Sequence, residues 1–265
     1  MTRRLVIRPG AIGDLILSLP AIEFLRARSD YLEVWCAAPN VPLVRFSDHV
    51  APISSTGLDW LGLPGIDPPQ SILRALRSFD DIVSWYGASR RDFREAVTGL
   101  PFRFFEALPP GGAPMHAADF YLNQVGGAAM AAPRIDCARA NGGFAVVHPF
   151  SGGPRKNWPL ANFRELARRL ESRLPVKWCV GPEEDLPDAV RFGDLYELAC
   201  WLAQARVYIG NDSGITHLAA AVGAPVIAIF QSSDPAVWAP RGARVTVLSS
   251  PSLEAVEAAC LEQTK

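Results

Sequence analysis

The sequence lacks the features that identify membrane, nucleic-acid-binding and disulfide-rich proteins. No apolar run reaches the roughly 18 residues of a membrane-spanning helix, and the apolar run in the opening MTRRLVIRPG is too short for a signal peptide. With 26 basic and 27 acidic residues, the net charge of −1 argues against non-specific binding to nucleic acid. The five cysteines are odd in number and form no CxxC motif, so the sequence predicts neither a disulfide framework nor a zinc site.

What the sequence does contain is the composition of a folded soluble chain. Of its 265 residues, 49% are hydrophobic and 20% are charged, which fits one or two globular domains. The scattered cysteines favour a reducing compartment, so we expect the protein in the cytoplasm.

The stretch VYIGNDSGITHLAAAVGAPVIAIF, residues 207–230, predicts a strand, a turn, a short helix and a second strand. Asn211 and Asp212 are turn or N-cap candidates, and Gly223 stands where a helix C-cap is expected. A helix that begins directly after a parallel strand directs free N–H groups towards the crevice above the sheet, which suits a diphosphate. The alternative is an ordinary crossover turn that binds no ligand.

A second strand-to-helix turn lies near the N-terminus. Leu5–Arg8 is a short apolar strand, and the turn after it leads to Asp14 at the start of a helix. An aspartate there already occupies the position that favours an anion, and it would repel a diphosphate. We therefore interpret Asp14 as a working carboxylate; the alternative is that it only caps its helix. Pro20 predicts a kink or a restart of this helix.

Strands alternate with helices in both halves of the chain, which predicts parallel sheets covered by helices on both faces. The segment 126–143 is rich in Gly, Ala and Pro, so we place a boundary there between domains 1–138 and 139–265. The predicted fold class is α/β, with two Rossmann-like domains whose parallel sheets face a central cleft and bind ligands at the carboxyl ends of their strands.

Three segments together resemble the signatures of the heptosyltransferase family, glycosyltransferase family 9: GAIGDLILSLPAIEFLR, HPFSGGPRKNWPLANFRELARRL and GNDSGITHLAAAVGAPVIAIF. They occur in the family's order, and the resemblance covers nearly the whole chain. It implies the GT-B architecture, with the acceptor site in the N-terminal domain and the donor site in the C-terminal domain. It also implies inverting transfer of heptose from ADP-heptose to the lipopolysaccharide inner core without a metal. The sequence contains no DxD motif, and we expect no cofactor, since the nucleotide sugar is a substrate.

The resemblance implies roles for individual residues on the acceptor side and at the reacting atoms. Asp14 matches the catalytic base, which takes the proton from the acceptor hydroxyl. Lys156 matches the lysine that steadies the charge of the departing phosphate. Arg8 is a candidate contact for an acceptor anion; the alternative is a solvent-facing strand end.

The resemblance also implies a set of donor-binding residues in the second half. Ser151 matches a small hydroxyl that contacts phosphate, and either Glu183 or Glu184 matches an acid that holds the ribose. We expect the Asp212 carboxylate to accept hydrogen bonds from sugar hydroxyls. The donor-binding helix start comprises Asp212, Ser213, Gly214 and His217.

Two positions depart from the family pattern: Phe150 and Gln231 stand where the family usually has glycine, and both flank the expected donor pocket. The chain is also short for the family, which bears on the acceptor more than on the reaction type. The expected partners are a nucleotide-sugar donor and a glycan or lipopolysaccharide-core acceptor, with peripheral contact with the inner membrane left open. Two rival functions remain at this point: a nucleotide-sugar epimerase or hydrolase, and a non-catalytic nucleotide-sugar-binding protein.

Overall fold

A computed structural model of the chain describes residues 1–111, 115–128, 130–138 and 142–264. These residues divide into two compact units. The first unit ends at Met130; the second begins at Ala131 and also includes Met115 and His116. The boundary proposed between residues 138 and 139 adjoins residues 139–141, which lie outside the described residues. The division into domains 1–138 and 139–265 therefore stays a prediction.

The first unit is built on a parallel sheet in which the described residues form five strands. Their order, β3-β2-β1-β4-β5, is that of a Rossmann-like sheet, and all four neighbouring pairs are parallel. The elements are β1 Arg3–Arg8, α1 Ile12–Arg26, β2 Tyr31–Cys36, β3 His49–Pro52, α2 Ile53–Thr56, α3 Gln70–Leu76, β4 Asp81–Ser84, α4 Arg91–Ala96, β5 Phe102–Phe104 and α5 Ala117–Gln124.

Helix α1 does not restart at Pro20, which corrects one of the two predicted outcomes, while a kink there stays a prediction. The helix runs for 15 residues through Pro20 without interruption. Proline in a helix interior removes a hydrogen bond and costs about 3 kcal/mol. Every residue from Leu15 to Ile22 is buried, so packing of nearly the whole circumference of the helix outweighs that cost.

The second unit contains another parallel sheet, again of five strands among the described residues. The strand order is β10-β9-β8-β6-β7, and all four neighbouring pairs are parallel. The elements are β6 Ala145–His148, α6 Leu160–Leu170, β7 Val176–Trp178, α7 Leu195–Leu202, β8 Val207–Asn211, α8 Gly214–Ala221, β9 Val226–Phe230, α9 Pro235–Trp238, β10 Val245–Ser249 and α10 Leu253–Gln263.

The core of the second unit lies along its central strands. Every residue of β6, β8 and β9 is buried, as expected for parallel strands covered on both faces. Phe163 and Leu166 of α6 and Val256 of α10 pack against this layer. Within the part of the chain that the structure describes, none of the helices is both long and apolar enough to cross a bilayer.

Candidate functional site

The candidate donor site of the second unit lies where the strand order of the sheet reverses. Strands β6 and β8 are neighbours, but the chain continues from β6 to the edge strand β7 and from β8 towards β9 and β10 on the other side. The turns that follow β6 and β8 therefore leave adjacent carboxyl ends, which is where doubly wound sheets bind ligands. These turns contain the second and third sequence motifs.

Asn211, the last residue of β8, ties the two turns together. Its side chain is fully buried; it donates from Nδ2 to the carbonyl oxygen of Pro149 at 2.7 Å and accepts from the backbone N–H of Trp158 at 2.8 Å. The sequence pattern predicts only a turn or cap position for Asn211 and does not reveal this role. The available signal was a polar residue at the end of an otherwise apolar strand.

Lys156 and Asp212 form an ion pair between the two turns. The Nζ atom of Lys156 lies 2.7 Å from Oδ2 of Asp212, and the hydroxyl of Ser233 donates to the same oxygen. The Asp212 side chain is 5% exposed, whereas that of Lys156 is 42% exposed. The lysine can therefore turn towards a ligand while the carboxylate stays in place. Ser233 was not among the predicted site residues.

Helix α8 begins one residue later than predicted, because Ser213 rather than Asn211 or Asp212 is its N-cap. Ser213 is its N-cap and accepts the backbone N–H of Thr216 with its side chain; Gly214 is the first helical residue. The N–H groups at such a start have no partner within the helix and suit an anion. His217, one turn on, is buried, and this burial lowers its pKa to about 4 against the opposing charge of Asp212. Its imidazole is therefore neutral at pH 7.

Ser151 lies in the turn after β6 and hydrogen-bonds within that turn, with Oγ 2.6 Å from Oδ1 of Asn157. Glu184 follows β7, and its carboxylate accepts the backbone N–H of Gly181 at 2.6 Å; Glu183 beside it is exposed. His148 is buried, its Nδ1 lies 2.9 Å from the carbonyl oxygen of Cys179, and its burial lowers its pKa.

The first unit has its own reversal of strand order, between β1 and β4, and the first motif follows β1 there. Asp14 lies in the first turn of α1, and its Oδ2 accepts the backbone N–H of Ala11 at 3.0 Å. Gly10 has φ +111°, and a Cβ at this position would lie 2.6 Å from Oδ2 of Asp14. Glycine at position 10 thus allows the carboxylate to fold back over the turn. The capping interaction considered for Asp14 is present, and it leaves the catalytic role open.

Arg8, at the end of β1, is 1% exposed, so the solvent-facing alternative is wrong. One guanidinium nitrogen donates to the carbonyl oxygen of Asp14 at 3.0 Å, and the group lies 4.4 Å from the ring centroid of Tyr121. Its Nε is buried without a hydrogen-bond partner among the described residues. A buried guanidinium with an unsatisfied donor suits an anion because leaving such a donor unpaired is costly.

The predicted site residues thus fall into two groups. The second unit brings Lys156 together with Asp212 directly before the N-cap Ser213, with Ser151 in the turn after β6 and Glu184 after β7. Asp14 and Arg8 lie together in the first unit. In the described ranges, no group of three or more His, Cys, Asp or Glu side chains is arranged to hold a metal ion.

Comparison with known proteins identifies a family and several relatives of the chain. The family model for glycosyltransferase family 9 (heptosyltransferase) matches residues 116–265. Lipopolysaccharide heptosyltransferase 1 of Salmonella typhimurium is 30% identical over a stretch covering 36% of this chain and 34% of that protein. Lipopolysaccharide heptosyltransferase 3 of Escherichia coli is 28% identical over 40% of this chain and 36% of that protein. The matched stretch spans about a third of the length of these curated relatives.

Solved structures resemble the chain over its whole length. E. coli ADP-heptose lps heptosyltransferase II has a TM-score of 0.75 at 16% identity, with full coverage of both chains. E. coli heptosyltransferase WaaC with ADP has a TM-score of 0.73 at 17% identity, covering 99% of this chain and 100% of that one. TibC of enterotoxigenic E. coli, an iron-containing dodecameric glycosyltransferase, has a TM-score of 0.63 at 16% identity, covering 95% of this chain and 65% of TibC.

The two parallel α/β units and the likeness to the solved heptosyltransferases confirm the predicted GT-B fold class. The family model accounts for more than half of the sequence, including the turns after β6 and β8. The chain therefore belongs to glycosyltransferase family 9, the heptosyltransferases.

Proposed function

We propose that the chain is an inverting, metal-independent glycosyltransferase. It moves a sugar, heptose, from a nucleoside-diphosphate sugar, ADP-heptose, to a lipopolysaccharide-core-like or other glycan acceptor. The observation that carries this proposal is the ion pair of Lys156 with Asp212 directly before the N-cap of α8. It combines a mobile cation with helix N–H groups at a sheet switch point, which suits a diphosphate. The names of the curated relatives support heptose and lipopolysaccharide.

In this proposal, the second unit binds the donor. Lys156 and the Ser213 and Gly214 N–H groups contact the diphosphate, Ser151 supplies a hydroxyl to it, and the neutral His217 is part of the donor-binding helix start. Asp212 accepts hydrogen bonds from sugar hydroxyls. Of the two candidate acids, we favour Glu184 for the ribose because its carboxylate is already held by the Gly181 N–H, whereas Glu183 is exposed.

Asp14 is the proposed general base. The N–H of Ala11 holds one carboxylate oxygen, and the other has no hydrogen-bond partner among the described residues, so it is available to an acceptor hydroxyl. Asp14 takes the hydroxyl proton as that oxygen attacks the anomeric carbon from the face opposite the diphosphate, which inverts the configuration. Lys156 stabilises the negative charge on the leaving phosphate, and Arg8 binds an anionic group of the acceptor.

The proposal extends to the setting of the reaction. Residues 1–138 form the acceptor-side domain, and residues 139–265 form the donor-side domain. The enzyme acts in the cytoplasm, with peripheral contact with the inner membrane as a further possibility that the acceptor would bring. No cofactor takes part: the nucleotide sugar is consumed as a substrate, and Lys156 takes the role that a metal has in other glycosyltransferases.

The test is the variant Asp14→Asn. Its amide oxygen can still accept the Ala11 N–H, so the helix cap survives while the base is lost. We expect the affinity for ADP-heptose, measured by calorimetry, to stay nearly unchanged, and transfer to a core glycan to fall about 10²-fold or more. Asp194→Asn is the matched control because Asp194 caps α7 and has no role in the reaction.

Other outcomes would contradict the role of Asp14 or favour one of the rival functions. Loss of donor binding in Asp14→Asn with turnover of bound donor intact would contradict the role of Asp14. Release of free heptose without transfer would identify a hydrolase, a sugar of altered configuration an epimerase, and donor binding without any product a binding protein.

A further inference from the structure

Gln231 has a buried amide nitrogen that no group in the described part of the chain satisfies. The residue follows Phe230, the last residue of β9, and its Nε2 is buried without a hydrogen-bond partner among the described residues. A buried amide N–H that is left unpaired destabilises a folded chain, and such groups are rare in native proteins. An unpaired donor at the carboxyl end of a central strand is the arrangement expected where a ligand supplies the missing acceptor.

The surroundings of Gln231 connect it to the candidate donor site. Strand β9 pairs with β8 up to Asn211 and Ile229, so Gln231 stands two residues beyond the last paired position. The backbone N–H of Asp212 donates to Ile229, and Ser233, two residues after Gln231, donates to the Asp212 carboxylate. Gln231 therefore begins the turn that contacts Asp212.

We propose that Gln231 is a specificity-determining residue whose side-chain amide donates a hydrogen bond to the donor sugar; this rests on the proposed function above. A sugar hydroxyl can both donate and accept. The Asp212 carboxylate only accepts, and the Gln231 Nε2 only donates, so the two side chains offer complementary partners to neighbouring hydroxyls.

The sugar is the better match for Gln231 than the diphosphate. The amide is uncharged and adds no electrostatic attraction to phosphate. The cations and helix N–H groups that suit the diphosphate belong to the turns after β6 and β8 instead. A site built to hydrogen-bond a hydroxyl discriminates against sugars that lack it because its buried donor is then left unpaired.

The test compares Gln231→Met with the wild type. Methionine keeps the length of the side chain and removes the N–H donor. We expect the Kd for ADP to stay within about 2-fold of the wild-type value and the Kd for ADP-heptose to rise by about 3- to 10-fold. Without ligand, we expect the melting temperature to stay equal or to rise, since an unsatisfied buried group has been removed.

Gln263→Met is the matched control. Gln263, at the end of α10, already donates from its amide nitrogen to the hydroxyl of Thr246 in β10. We expect no change in either Kd for this variant. An unchanged Kd for ADP-heptose in Gln231→Met would overturn the proposal, and so would an equal rise in both Kd values, since the amide would then contact the nucleotide. A wild-type chain that binds neither ADP nor ADP-heptose would instead refute the proposed function itself.

Discussion

Replacing Lys156 by methionine tests the donor site most directly, because Lys156 has one role in the free protein and another in the proposed complex. In the free protein, its Nζ lies 2.7 Å from the Asp212 carboxylate. Methionine keeps most of the aliphatic side chain and removes the charge. The buried Asp212 carboxylate then keeps only the hydroxyl of Ser233 as a side-chain partner among the described residues.

The loss of stability should lie between the values for exposed and buried ion pairs. Exposed pairs contribute about 0.2–1 kcal/mol, whereas breaking a fully buried pair costs about 3–5 kcal/mol. Asp212 is 5% exposed but Lys156 is 42% exposed, so solvent screens the pair in part. We therefore expect a loss of about 1–2 kcal/mol in the free energy of unfolding, which corresponds to a fall of about 2–8 °C in the melting temperature.

The Lys156→Met variant should also lose affinity for the nucleotide. A charge-assisted hydrogen bond to a phosphate contributes about 1.5–3 kcal/mol, so we expect the Kd of Lys156→Met for ADP to rise about 10- to 100-fold. Calorimetry with ADP and thermal unfolding without it measure the two effects separately. Arg155→Met is the matched control, since Arg155 is exposed on the same turn and makes no hydrogen bond or ion pair within the described part of the chain.

Two outcomes would refute this reasoning. A Lys156→Met variant that loses stability but binds ADP like the wild type would make the lysine a structural residue only. An equal loss of ADP affinity in Arg155→Met would mean that general positive charge on the turn, rather than the position of Lys156, attracts the nucleotide.

Two further predictions concern pH and oxidation. Burial lowers the pKa of His217 to about 4, from about 6.5 in the unfolded chain. Between these two pH values, the unfolded chain binds more protons than the folded one. The stabilisation is therefore full above about pH 6.5 and is lost towards pH 4. Urea titrations at several pH values measure the free energy of unfolding. Over that pH interval, His217→Gln should lose less of it than the wild type; an equal loss with pH would assign the effect to His148. The Sγ atoms of Cys137 and Cys200 lie 3.3 Å apart, so diamide should take two hydrogen atoms from these thiols and leave a disulfide. Peptide mapping without reductant should find this link and lose it in Cys200→Ser; diamide-treated wild-type protein without the link would contradict the expectation.

The sequence predicted most of the fold because the central strands of both sheets are short apolar runs that end at turns. The strands β1, β8 and β9 are predicted in this way, whereas the cap of α8 lies at Ser213, just after the two cap candidates Asn211 and Asp212. Strand β5 was missed since it has three residues, one of them the charged Arg103, and lies at the sheet edge. Helix α9 was missed because four residues are too few to show a period.

The sequence predicted the candidate site as a set of turns but not as a set of contacts. Motif order indicated which turns matter, and the residue types indicated charge. The pairing of Lys156 with Asp212 joins residues 56 positions apart, and no periodicity encodes it. The burial of Arg8 was equally invisible, because it depends on Tyr121, far along the chain, covering the end of β1.

The two units place their candidate residues at the same topological position, but the charges at the two helix starts differ. In the first unit, the helix that begins after β1 carries Asp14 in its first turn, so a carboxylate already accepts an N–H group at the helix start. In the second unit, the helix after β8 begins with the uncharged Ser213 and Gly214, and the charge of Lys156 compensates that of the Asp212 carboxylate before them. A diphosphate would be repelled at the first helix start and stabilised at the second. The same crossover geometry therefore suits proton abstraction in one unit and diphosphate binding in the other, and this difference depends on which residue stands at the first turn of each helix.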